Sequence, residues 1–324
     1  MSGPPLFIVA CDRSGTTMLR LILDRGPDLA IPTESMILVD FANVRDRYGS
    51  LTTDAGFNRL AQDVWRHPKV REWGLSSGPP GRDGLVGEAA YRHALEAPFA
   101  AYAGERGKAR WGDKTPLYIH HLGEVRRVFP EARIVVLVRD GRDVALSLLD
   151  VPFGPGNVWG AARMWRAAVE AGERAAAAWP ESVLTVRYED LVGTPEPVVR
   201  EVCAFAGISY SPAMLAIEEA PAGSVAAGQE GWFRRLSEGI SRDSVGRWRR
   251  QMPRDRVALF QAEAAAALAR HGYPLDDAGT PPRIPAAAYA AHNWAVKGWQ
   301  FGRLHIVQER GREVPQILRR HLKK

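Results

Sequence analysis

The sequence predicts an α/β protein, a parallel sheet flanked by helices. Three observations carry this. Leu6–Ala10 (LFIVA), Ile134–Val138 (IVVLV) and Val183–Val186 (VLTV) are short apolar, β-branched-rich runs of the kind that form buried strands. Helical stretches separate them, which is the order of parallel βαβ units. The first run ends in a Gly-containing turn that opens directly into a helical pattern, Thr17–Arg25, stopped by Gly26-Pro27.

The remaining elements follow in order. Residues 40–110 are helical but irregular, broken by SSGPPGRDG at 76–84, and read as a helical insertion over one edge of the sheet. Trp111–Pro116 (WGDKTP) reads as a turn before a helix carrying His120 and His121, which as neighbours on that helix point apart. Thr194-Pro195 is the N-cap and first residue of a helix that stops at Gly207. Residues 221–246 form a polar loop, and Pro253–His271 a helix closed by Gly272. The main domain is therefore residues 1–273, followed by a linker at 274–285 and a basic helical tail at 286–324.

Composition excludes several classes. With 324 residues, 46% hydrophobic and 25% charged, the chain is globular rather than disordered. No apolar run approaches the ~20 residues of a membrane helix, and the N-terminus has no signal-peptide pattern. Two cysteines, Cys11 and Cys203, give no disulfide framework and no Cys-rich metal site, which fits a reducing cytoplasm. The net charge of +6 resides in the tail, where eight Lys or Arg stand against two Glu. With Trp294, Trp299 and Phe301, the tail reads either as an amphipathic element on anionic lipid, as a helix packed on the domain, or as a homodimer contact. Nothing else points to nucleic acid.

The motif with most chemistry is Ala10–Thr17 (ACDRSGTT), between strand and helix. Its layout is that of a P-loop, whose backbone N–H groups cradle an anion. The Walker lysine position holds Thr16 and the first glycine position Ala10, while the cation is Arg13 inside the loop. A guanidinium there grips a phosphate bidentately without an obligatory metal. A second segment, Ile134–Ser147, places Arg139 at a strand tip and Ser147 two helical turns on, either a separate phosphate site or a surface Arg–Asp turn. Lys114 is either a third site residue or a lysine in a turn. Three functions compete: an anion-transferring enzyme, a P-loop kinase of a small metabolite, and a non-enzymatic nucleotide-binding adaptor at a membrane surface.

Together DRSGTTMLRLILDRGPDLAIPTES (12–35), GDKTP (112–116), RIVVLVRDGRDVALS (133–147), VRYEDL (186–191) and SVGRWRRQMP (244–253) resemble the sulfotransferases that use 3′-phosphoadenosine 5′-phosphosulfate, in particular the tyrosylprotein branch and its bacterial relatives. The resemblance implies that Arg13, Ser14, Gly15, Thr16 and Thr17 bind the 5′-phosphosulfate. It implies that Arg139 and Ser147 bind the 3′-phosphate, that Tyr188 lies near the nucleotide, and that Arg247 closes over the phosphates. It implies Lys114 at the bridging oxygen, Glu34 as base, and in-line transfer to a hydroxyl of a small molecule, glycan or lipid-linked acceptor, without a metal. Classical cytosolic members carry Lys-Thr-His; this chain has Lys114-Thr115-Pro116, so their histidine base is absent. Arg45, Arg47, Trp65 and Arg66 hint at an anionic or ring-bearing acceptor.

Overall fold

The computed structural model describes residues 3–219, 239–283 and 285–296. The expected loop at 221–246 and the tail lie largely outside these residues, Trp299 and Phe301 included. Among the described residues no helix is long and apolar enough to cross a membrane. The chain forms two compact units. One comprises Met1–Arg139 and Ala168–Val245, the other Asp140–Ala167 and Gly246–Lys324. Residues 274–285, expected as a linker, belong to the second.

The first unit holds the sheet: β1 (Leu6–Ala10), β2 (Leu29–Ala30), β3 (Arg110–Lys114), β4 (Arg133–Val138) and β5 (Val183–Arg187), in the order β2-β3-β1-β4-β5. Every neighbouring pair is parallel. After β1 the chain moves outward to β2 and β3, then returns to β4 on the other side of β1. This reversal is the topological switch point, where open α/β sheets bind ligands at the carboxyl ends of their strands. The segments at that crevice are 11–15, after β1, and Arg139, after β4.

Along the chain α1 (Thr16–Asp24) follows β1, and α2 (Ile37–Ala42), α3 (Asp54–Trp65), α4 (Pro68–Arg71) and α5 (Gly87–Gly104) lie between β2 and β3. After β3 comes a 3-10 turn, Pro116–His120, then α6 (Leu122–Val128). Beyond β4 lie α7 (Gly141–Leu149), α8 (Val158–Ala178), α9 (Tyr188–Gly193), α10 (Pro195–Ala206), α11 (Trp248–Gln251) and α12 (Arg254–Arg270). One sheet face packs Leu19, Ile22 and Leu23 of α1 with Val199 and Val202 of α10. Aromatics cover the other face, with Phe7 edge-on to Trp111 at 5.9 Å and Trp111 stacked on Phe99 of α5 at 4.7 Å.

β3 departs from the sequence reading, which made WGDKTP a turn. Arg110, Trp111, Gly112, Asp113 and Lys114 are all buried in the sheet. A strand this polar survives burial because its polar side chains find partners. Arg110 donates to the carbonyls of Ala206 (2.7 Å) and Gly207 (2.9 Å), and Asp113 and Lys114 are paired as described below. His120 and His121 do not share one helix either. His120 ends the 3-10 turn and His121 precedes α6.

The second unit is organised by Asp140, Arg142 and Asp143. Arg142 has 0% exposure and grips both Asp140 oxygens, at 2.9 and 2.8 Å, while stacking 3.8 Å from the Trp248 ring. Asp143 accepts from the backbone N–H groups of Gly246 (2.7 Å) and Trp248 (2.9 Å). A buried charge this well paired is architectural. Gly141 is required, because a Cβ there would lie 2.5 Å from both Trp165 and Phe260. Tyr289 and Asn293 fasten the helix at 286–296 to Asn157, Gly156 and Trp159.

Candidate active site

The loop after β1 is shaped by two left-handed residues, Arg13 (φ 71°) and Gly15 (φ 98°). Glycine is needed at 15 twice over, for the φ and because a Cβ would meet the Tyr188 ring at 2.5 Å. Gly15 caps α1 through its carbonyl, which accepts from Met18 at 3.0 Å, and no side chain caps the helix's first N–H groups. Those donors and the positive end of the helix dipole face the loop. Ser14 is 1% exposed, and its Oγ has no hydrogen-bond partner among the described residues. A buried hydroxyl left without a partner in an anion loop suits an incoming phosphoryl or sulfuryl oxygen.

Lys114 and Glu34 meet at this loop. Lys114 Nζ donates to Glu34 Oε1 at 2.6 Å and to Thr17 Oγ1 at 3.4 Å. The lysine side chain is 4% exposed and the glutamate's 37%. Burial pulls the Lys114 pKa below its ordinary value, against the opposing pull of Glu34. Glu34 is thus the open partner and Lys114 the enclosed one.

Beneath them lies a polar network the sequence reading missed. Ser35 Oγ donates to Asp113 Oδ2 at 2.6 Å and lies 3.1 Å from the Tyr118 hydroxyl. Thr115 Oγ1 donates to Asp113 Oδ1 at 2.7 Å, and the Tyr118 hydroxyl accepts from the Leu38 N–H at 3.0 Å. Successive residues 34 and 35 therefore grip successive residues 114 and 113, whose side chains leave opposite faces of β3. Burial raises the Asp113 pKa to about 6, opposed by the Ser35 and Thr115 hydrogen bonds. The acid is raised above its unfolded value, so the stability tied to it is full below about pH 4 and is lost as pH rises through about 6. Replacing Ser35 with Ala is expected to cost about 1–3 kcal/mol of stability, since Asp113 would lose a buried partner. Chemical denaturation at pH 8 reads this, and an unchanged midpoint would contradict it.

Arg139 connects the loop to the rest of the crevice. Its guanidinium donates to the Arg13 carbonyl (3.3 Å) and the Ser244 carbonyl (2.5 Å) and stacks 4.5 Å from the Tyr188 ring centre. The first unit thus brings together Arg13, Ser14, Gly15, Thr16, Thr17, Glu34, Lys114, Arg139 and Tyr188. Ser147, on α7, and Arg247, at the start of α11, belong to the second unit. Arg45, a hinted acceptor contact, is engaged by Glu88 and stacks 4.5 Å from Tyr91, while Trp65 donates to Ser77. A cavity of about 620 Å³ beside Trp65, Arg92 and His93 includes none of the crevice residues, and Arg92 there is paired with Glu96 and Glu131.

A sequence model described as "Sulfotransferase family" matches residues 4–212, well over half of the chain. The chain belongs to the sulfotransferase family. Protein-tyrosine sulfotransferase 1 of Danio rerio is 25% identical over 287 residues, covering 86% of this chain and 74% of that protein. The Nodulation protein NoeE of Sinorhizobium fredii is 28% identical over 232 residues, 64% of this chain and 50% of that one. Among solved structures, the sulfotransferase domain of the Synechococcus PCC 7002 olefin synthase superposes with a TM-score of 0.57 at 23% identity, covering 85% of this chain and 96% of that one. That likeness carries the fold. This chain is a sulfotransferase dependent on 3′-phosphoadenosine 5′-phosphosulfate, and membership displaces the kinase and adaptor readings.

Proposed function

We propose that this sulfotransferase moves a sulfuryl group from 3′-phosphoadenosine 5′-phosphosulfate to an acceptor hydroxyl, with Glu34 as base and Lys114 at the leaving group. The Lys114–Glu34 pair, 2.6 Å apart at the rim of the anion loop, carries the reading. Arg13, Ser14, Gly15, Thr16 and Thr17 hold the 5′-phosphosulfate, and Arg139 and Ser147 the 3′-phosphate. Tyr188 flanks the nucleotide, and Arg247 closes over it. The acceptor oxygen attacks sulfur in line, and its proton passes to Glu34 Oε. The bond between sulfur and the bridging oxygen breaks, and Lys114 meets the charge that develops there. The loop N–H groups and Arg13 stabilise the same charge.

The acceptor is a small molecule, a glycan or a lipid-linked hydroxyl. The relatives named for tyrosine add a protein side chain to the classes to be tested, and a ³⁵S-donor assay against pooled hydroxylated metabolites, lipids and peptides decides among them. Cys11 and Cys203 are buried and free, which supports a reducing compartment such as the cytoplasm. Trp294 is 81% exposed on the helix at 286–296, which supports an outward contact there, with a membrane surface or a second copy.

Donor recognition gives a direct test. Adenosine 3′,5′-bisphosphate should bind at least tenfold more tightly than AMP by calorimetry, since a charge-assisted contact contributes about 1.5–3 kcal/mol. Equal affinity would remove the role given to Arg139 and Ser147. Turnover should persist in EDTA, because Arg13 and Lys114 supply the cationic stabilisation; a strict Mg²⁺ requirement would contradict this.

A further inference from the structure

The second unit carries a helix whose outward face has no charge. The helix at 286–296 turns Tyr289, Asn293 and Val296 inward, at spacing i, i+4 and i+7, and these are its half-buried positions. Tyr289 stacks on Trp159 with ring centres 6.2 Å apart, and its carbonyl accepts from Asn157 Nδ2 at 2.9 Å. Asn293 Oδ1 accepts from the Gly156 N–H at 2.5 Å. Gly156 permits this close approach, because a Cβ there would meet Val296 at 2.8 Å. The other positions of the helix are exposed, and they are alanines, His292 and Trp294, the last at 81%. A helix face turned to water ordinarily carries charged side chains, yet residues 286–296 contain no Asp, Glu, Lys or Arg. The loop that fastens this helix presents a second outward aromatic, Phe153, at 58% exposure.

The charge follows directly in sequence. Residues 297–324 hold eight Lys or Arg against Glu309 and Glu313, which is the whole net charge of +6. We propose that Trp294 and Phe153, with the basic residues after the helix, form a surface that docks on an anionic lipid bilayer. This deepens the outward contact read at Trp294 above by committing it to one partner, and it does not depend on the donor reading. Indole has an apolar body and a polar tip, which suits it to the headgroup level. The uncharged alanine face around it has no ionised group to desolvate on leaving water. Lys and Arg beside such a face are drawn to anionic headgroups. The described helix, at eleven residues, is too short to span a bilayer and would lie along it. The same features disfavour other occupants. A second copy docked helix to helix would bring two basic segments of like sign together. A nucleic acid would meet alanines where it needs cations. An enzyme held at a bilayer meets lipid-linked hydroxyls, one of the acceptor classes above.

The two contributions respond to different changes. Attraction between exposed cations and headgroups is screened by salt, so binding should weaken at least tenfold between about 0.05 M and about 0.5 M NaCl. Burial of aromatic area is not screened. Replacing both Trp294 and Phe153 with Ser should therefore weaken binding roughly tenfold or more at low salt, where the charge is untouched. Both residues are exposed and belong to the second unit, whereas the anion loop belongs to the first. Affinity for adenosine 3′,5′-bisphosphate should not change.

The experiment is co-sedimentation of the full chain with vesicles of phosphatidylcholine alone and of phosphatidylcholine with phosphatidylglycerol. It compares the native protein, the double variant Trp294→Ser/Phe153→Ser, and a variant with every Lys and Arg of 297–324 changed to Gln. Gel filtration gives the oligomeric state of each, and nucleotide calorimetry reports on the anion loop. The native chain should sediment with the anionic vesicles and not with the neutral ones, and each variant should lose most of that binding while still taking up the nucleotide. No binding of the native chain to anionic vesicles overturns the proposal and leaves the donor reading standing. Native-like binding by the double variant shows that charge alone holds the protein, which removes the docking surface. A dimer that dissociates in the double variant assigns the face to a second copy and also overturns the proposal. So does salt-sensitive binding to a DNA duplex without binding to vesicles. Loss of nucleotide binding in the native chain would count against the donor reading instead. Should the double variant fail to fold, the native chain and the Gln variant still decide, because equal sedimentation of these two overturns the proposal.

Discussion

Glu34→Gln is expected to lower kcat by roughly 10²–10⁴-fold with donor affinity nearly unchanged, the range for loss of a general base. Gln keeps the side chain's size, and its carbonyl can still accept from Lys114 Nζ, so the enclosed lysine retains a partner. What it loses is the capacity to receive the acceptor's proton. Glu34 suits that task because it is the exposed half of its pair, at 37% against 4% for Lys114, so an acceptor can reach it. Ser35, hydrogen-bonded to Asp113 at 2.6 Å, fixes the backbone that presents it. Initial-rate kinetics together with nucleotide calorimetry separate kcat from donor affinity. A near-normal kcat would remove Glu34 from the reaction and direct attention to His120 and His121.

The parts of the fold legible in the sequence were the strands that read as apolar runs. β1 and β4 are buried almost throughout and read as strands inside parallel sheets do, and β5, at the sheet edge, still buries Val183 and Val186. β3 is equally buried yet reads RWGDK, and single-sequence periodicity assigns such a stretch to a turn. Its burial depends on partners far away in sequence: Ser35 for Asp113, Glu34 for Lys114, and the end of α10 for Arg110. The same holds for Arg142. Within RDGRD it looks like a surface arginine, and only Asp140, Gln261, Trp248 and the Pro274 carbonyl make it a buried hub. The division into two units was equally hidden, since each is assembled from two separate stretches of chain.

At the candidate site, the anion loop could be read from residue types at a strand–helix junction. The shape of ACDRSGTT depends on local φ values that Gly15 and its neighbours impose. Glu34 carried no such local signature and was picked out by resemblance alone. Asp113, Ser35 and Tyr118 were unreadable for a related reason. A carboxylate, a hydroxyl and a phenol spread over 84 positions have no common spacing until β3 and the segment after β2 are side by side.

Lys114→Ala is expected to differ from Glu34→Gln in kind. kcat should fall by roughly 10²–10³-fold, the effect of removing one preorganised donor from developing negative charge, and donor affinity should fall with it. The ammonium is enclosed against Glu34 and Thr17, so its loss takes the cation nearest the bridging oxygen and leaves Glu34 without its counter-ion. Lys114→Arg keeps the charge, but a planar guanidinium is too large for a side chain that is 4% exposed, so rescue should be poor. The pH profile provides an independent check. Burial lowers the Lys114 pKa below the ordinary 10.5, so the alkaline limb of kcat/KM should begin below that value in the native enzyme and vanish in Lys114→Ala. The double variant Glu34→Gln/Lys114→Ala should lose less than the product of the two single effects, because each single change also disturbs the other's partner. If the losses multiply in full and the alkaline limb persists without Lys114, the two residues act independently, and the pair at the rim of the loop is not the reacting unit.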